Sequence, residues 1–65
     1  MFRVKYGYTH KETEVNEYIN FKSKKGAEEY IEEKLFPYYD EFLLYVELWE
    51  TNKETNKEIL IKKYV

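Results

Sequence analysis

Glu41–Glu50, EFLLYVELWE, constrains this chain more than any other stretch. Its even positions, Phe42, Leu44, Val46 and Leu48, are apolar and line one face of a strand. Its odd positions also carry Leu43, Tyr45 and Trp49, so the second face is not the polar surface of a solvated sheet. A strand apolar on both faces needs cover on both. A chain of 65 residues has little left to provide it.

The preceding residues supply one cover. Phe2–Thr9 alternates, with Phe2, Val4, Tyr6 and Tyr8 on one side and Arg3, Lys5, Gly7 and Thr9 on the other, which predicts a half-buried strand. Val15–Lys22 alternates again, placing Val15, Ile19 and Phe21 opposite Asn16, Tyr18, Asn20 and Lys22. Glu17 falls on the apolar side and reads as exposed near a wet hairpin tip. His10–Glu14 between them lacks an Asn-Gly pair, so a loop of several residues is expected. Ser23 is placed to cap a helix over Lys24–Phe36, with Ala27, Tyr30, Ile31, Lys34 and Leu35 on one stripe. Pro37 is expected to force Phe36 out of helical geometry and end it. Pro37–Asp40, PYYD, reads as an aromatic loop. The polar Thr51–Lys57 stretch is a hairpin loop leading to a last strand, Glu58–Val65.

The order is therefore ββαββ in a single domain spanning residues 1–65. The fold class is α+β: a two-layer sandwich of a roughly four-stranded antiparallel sheet with one amphipathic helix on one face. The expected core is Phe2, Val4, Tyr6, Val15, Ile19, Phe21, Ala27, Ile31, Leu35, Phe42, Leu44, Val46, Leu48, Ile59 and Ile61. The far face then carries Tyr18, Leu43, Tyr45, Trp49, Leu60 and Tyr64 among Arg3, Lys5, Lys22, Glu47 and Lys62. An aromatic patch of that kind marks an interface, with the residue types that dominate binding energy. So small a chain buries only about 60% of its unfolded surface. Closing a homodimer over the patch would add the missing core.

Charge and chemistry narrow the function classes. Thirteen acids against eleven bases give a formal charge of -2, which is not a nucleic-acid footprint. Aromatics at 20%, with one proline, set the chain apart from disordered tails. Without cysteine, and with one histidine, it has no thiolate or histidine metal site, and no cofactor motif occurs. No apolar run reaches the ~20 residues of a membrane span and no leader pattern follows Met1, so a cytoplasmic protein is expected. His10 is a solvated turn residue and Ser23 a cap with no base beside it, so the chain reads as a non-enzyme. Glu28, Glu29, Glu32 and Glu33 form an acidic helix face. Such a face imitates a phosphate row in some inhibitors and is a solvated surface in most proteins. The sequence thus predicts a small protein–protein interaction module whose partner is a host or self protein. By size and composition it is phage-like: an inhibitor that occludes a host protein's functional surface as a homodimer. The alternative is a nucleic-acid-binding module using the same sheet face with Arg3, Lys5, Lys22 and Lys62.

Overall fold

The computed structural model describes residues 1–65. Strands β1 (Phe2–His10) and β2 (Thr13–Phe21) form one hairpin, and β3 (Leu43–Asn52) and β4 (Lys57–Lys63) form another. A helical segment joins the two hairpins. The sheet has the order β2-β1-β3-β4, with every neighbour antiparallel. This is the four-stranded α+β sandwich that the alternation and the helical stripe predict. No helix is long and apolar enough to cross a membrane.

The first hairpin turns more tightly than its sequence suggests. His10 pairs with Thr13, leaving only Lys11 and Glu12 in the loop, with φ of 48° and 67°. Positive φ at both central residues is the type I′ arrangement whose twist matches the flanking strands. Lys-Glu is poorly suited to it, because a Cβ at positive φ crowds the following carbonyl. Replacing the pair by Asn-Gly (Lys11→Asn with Glu12→Gly) is therefore expected to stabilise the fold by about 1 kcal/mol. The urea midpoint should rise with no change in m-value.

The helix begins where Ser23 caps it: the Ser23 hydroxyl oxygen accepts from the Gly26 N–H at 3.0 Å. It does not end at Pro37. α1 (Lys24–Tyr30) runs into a π-turn over Ile31–Leu35, then α2 (Phe36–Tyr39), then a 3₁₀ turn over Asp40–Phe42. Phe36 keeps helical dihedrals, φ −63° and ψ −46°, and its N–H reaches back to the Ile31 carbonyl. A proline has no N–H to give and its ring clashes with the carbonyl four residues earlier. The wider turn just before Pro37 relieves that clash, and Pro37 then opens a fresh helical segment, where proline is tolerated. Ala27, Ile31 and Leu35 recur every four residues and all are fully buried.

The core is Val4, Tyr6, Ala27, Ile31, Leu35, Leu43, Val46 and Leu48, with Phe2, Ile19, Phe21 and Ile61 among the half-buried side chains packed against it. Two bulges correct the expected faces. Between Gly7↔Tyr45 and Tyr8↔Leu43 the β1–β3 register skips Leu44. That extra residue turns Leu43 inward, where it is 8% exposed, and leaves Leu44 46% exposed. Phe42, expected inside, sits in the 3₁₀ turn and is exposed. Between Leu48↔Lys62 and Trp49↔Leu60 the register skips Ile61, which reverses the alternation beyond it. Tyr64 and Lys62 therefore lie on the helix side, with Tyr64 against Phe36 and the Lys62 ammonium over the Tyr64 ring at 4.7 Å. Ile59 is 65% exposed because the helix packs chiefly on β1 and β2, away from the β4 edge.

Candidate functional site

The sheet face opposite the helix collects four of the six side chains that the sequence assigns to an interface: Tyr18, Tyr45, Trp49 and Leu60. Pairing aligns them across strands, with Lys5 opposite Tyr18, Gly7 opposite Tyr45, Arg3 opposite Trp49 and Trp49 opposite Leu60. Leu43 and Tyr64 are not on this face, because each lies beyond a bulge and points to the helix side. Tyr18 and Leu60 are exposed, while Tyr45 and Trp49 are half-buried.

A lattice of cross-strand contacts organises the face. The Arg3 guanidinium lies 4.7 Å from the Tyr18 ring centre and donates through Nε to Asn20 Oδ1 at 2.8 Å. The Lys5 ammonium lies 4.5 Å from the Trp49 ring centre. Both cations share one carboxylate. Lys5 Nζ donates to Glu58 Oε1 at 3.1 Å, and Arg3 Nη1 is 3.6 Å from Glu58 Oε2. Trp49 Nε1 donates to Glu47 Oε1 at 3.1 Å. Glu58, Glu47 and Asn20 therefore set the charge and shape of this face. The sequence places Glu47 here, whereas the only signal for Glu58 and Asn20 is strand parity with Leu60 and Tyr18.

Gly7 explains how Tyr45 lies flat. The Tyr45 ring rests directly on the Gly7 backbone, where a Cβ would overlap ring carbon Cε1 and lie 2.9 Å from Cδ1. The Tyr45 hydroxyl donates to Asn16 Oδ1 at 2.8 Å. The Tyr45 phenol is pushed above its ordinary pKa, first by burial and then by the carboxylates of Glu47 and Glu14. On the helix side, burial pushes the Tyr6 phenol far upward, and the Glu17 carboxylate that accepts its hydrogen bond at 2.7 Å adds to the shift. Glu17 is thus an exposed residue, as expected, with a partner of its own. Burial, with Tyr8 beside it, pushes Tyr39 up to about 12. These phenols stay protonated at neutral pH and act as hydrogen-bond donors and packing groups.

The remaining candidates lie elsewhere. Of the four cations assigned to a nucleic-acid face, Arg3 and Lys5 are on it and engaged by Glu58; Lys62 is on the helix side, and Lys22 follows the last residue of β2. Glu29, Glu32 and Glu33 are exposed and Glu28 half-buried, with no ion pair to any of them. Glu28 and Glu32 lie on the Tyr64 side of the helix, where they raise that phenol's pKa after burial has done so. His10 borders a shallow notch with Tyr8, Tyr38, Tyr39 and Phe42, in which Tyr8 stacks on Tyr39 at 4.2 Å. Tyr38, 80% exposed, forms a second aromatic surface at the helix end, one that reading PYYD as a loop does not anticipate. Comparison of this chain with protein families, characterised proteins and solved structures finds no match.

Proposed function

We propose that the protein is a non-catalytic protein-binding module of the cytoplasm that acts as a homodimer and covers a functional surface of a host protein with its open sheet face. One observation carries this reading: the face presents Tyr18, Tyr45, Trp49 and Leu60, while Arg3 and Lys5 are held on the Glu58 carboxylate and Lys63 lies opposite Glu47. A phosphate backbone is held by free cations whose counterions are released on binding. Aromatic rings with their polar edges satisfied favour a protein surface instead, where such residues act as anchors.

The test is a pull-down with tagged protein from lysate, with and without nuclease. A stoichiometric protein partner that survives nuclease is expected. Trp49→Ala combined with Leu60→Ala should reduce its capture at least about tenfold, the loss of about 1.4 kcal/mol at an anchor pair. Tyr38→Ala should leave capture unchanged. If only the Tyr38 variant loses the partner, the contact lies at the helix end and the open-face assignment is wrong. Recovery of nucleic acid, with binding that falls steeply as salt rises, would replace the module by the nucleic-acid alternative.

A further inference from the structure

The sheet has two edges, β2 and β4, and they are defended unequally. A strand edge presents a row of unpaired N–H and C=O groups that can accept another chain. β4 carries the devices that prevent this. It is seven residues long, bears Lys57, Lys62 and Lys63, and is broken by the bulge at Ile61. β2 carries none of these three, and its one inward-facing charge is Glu17. It is nine residues long, holds no proline, glycine or lysine, and its ladder to β1 runs without a shift from His10↔Thr13 to Phe2↔Phe21.

We propose that β2 pairs antiparallel with β2 of a second copy about a two-fold axis at Tyr18, joining the two sheets into one. Two identical antiparallel strands keep like faces together only when the axis falls on a residue, since side chains alternate with a period of two. Centred on Tyr18, Asn16 meets Asn20, Val15 meets Phe21, Glu17 meets Ile19, and Glu14 meets Lys22 at both ends. Glu14 and Lys22 are both exposed, and neither is in an ion pair within the chain. Opposite charges facing across strands stabilise a pair, and like charges destabilise it. Centring on Glu17 places two carboxylates directly opposite each other. Centring on Ile19 carries the partner of Glu14 to Lys24, inside the helix. The register centred on Tyr18 is the one that matches charge, and Tyr18, 61% exposed with the Arg3 guanidinium beside its ring, is open to its own copy. The pairing supplies the surface of self-association that the module above calls for, and it leaves Trp49 and Leu60 uncovered.

The experiment is sedimentation equilibrium of the wild type, of Glu14→Lys, of Lys22→Glu and of an equimolar mixture of the two variants. Each single variant sets like charges at both ends of the ladder and should weaken the dimer about tenfold at low salt, and less at high salt. The mixture should recover the wild-type affinity as a heterodimer, because each end of the ladder then sets a lysine of one chain against a glutamate of the other. The chain holds no cysteine, so oxidised Tyr18→Cys should yield a covalent dimer and nothing larger. A monomeric wild type, or a dimer indifferent to both charge reversals, would overturn the edge pairing. A dimer that is lost in the Trp49→Ala, Leu60→Ala variant and indifferent to the reversals would move self-association to the open face. Partner capture that survives Glu14→Lys while the dimer does not would leave the module standing without the need for self-association in binding.

Discussion

Leu43→Ala is expected to destabilise the protein by about 2–4 kcal/mol, and its neighbour Leu44→Ala by less than about 1 kcal/mol. The chemistry removed is the same; only the bulge separates the two positions. Leu43 is 8% exposed and belongs to the cluster with Val46, Leu48 and Ile31, so truncation leaves a cavity that the surrounding side chains fill incompletely. Leu44 is 46% exposed, so truncation removes mostly hydrated surface. Total stability for a domain of this size is about 3–10 kcal/mol. Loss of Leu43 therefore brings much of the population to the unfolding threshold, and a thermal melt followed by circular dichroism should show it. A reversed order, with Leu44→Ala the costlier change, would mean that the strand runs in register without the bulge.

Gly7→Ala should destabilise the wild type by about 1–3 kcal/mol and do the opposite when Tyr45 is absent. The added methyl would overlap Tyr45 Cε1, so the ring must swing off the strand and release Asn16. Once Tyr45→Ala removes the ring and its hydrogen bond, the Asn16 side chain, whose Oδ1 lies 3.0 Å from the new Cβ, is free to turn aside. The remaining effect of Gly7→Ala is then the relief of glycine's unfolded-state entropy, about 0.5–1 kcal/mol in favour of the fold. A double-mutant cycle by urea denaturation should give a coupling of about 2 kcal/mol. Additive effects would show that Tyr45 does not rest on Gly7 in solution.

The strands, their antiparallel pairing and the Ser23 cap are legible because each has a local signal: alternation, a polar turn, and a hydroxyl before a helical stripe. The faces of β3 and β4 are not. EFLLYVELWE is apolar on both sides, so nothing in its alternation marks where parity reverses. Both bulges fall at apolar doublets, Leu43-Leu44 and Leu60-Ile61, where either residue suits the core equally and pairing with the neighbouring strand decides. The same ambiguity explains the excess of apolar surface that the sequence implies. Leu43 is inside, and the odd-numbered face keeps Tyr45 and Trp49, whose polar edges find partners. Pro37 misleads for a different reason: the proline rule holds for an α-helix of constant pitch, and a single π-turn removes the clash it describes. The candidate face is legible by residue type at Tyr18, Tyr45, Trp49 and Leu60. Glu58 is not, since a lone glutamate on an edge strand looks like any solvated charge until Arg3 and Lys5 are brought beside it.

The strand order has a consequence for how the chain comes into being. β1 lies at the centre of the sheet, between β2 and β3, yet β3 follows it only after the whole of β2 and the helix, with Gly7 paired to Tyr45 and Phe2 to Glu50. As the polypeptide is made, the first hairpin and the helix emerge with Val4 and Tyr6 still open on one flank. Local pairing alone gives a two-stranded ribbon, which is marginal in water. Only when Val46 and Leu48 arrive can the middle of the sheet close, and that step brings together segments from distant parts of the chain, the slow kind of contact. A nascent chain stopped before residue 43 would thus remain open to proteases and chaperones, whereas one extended past residue 52 holds its central pair.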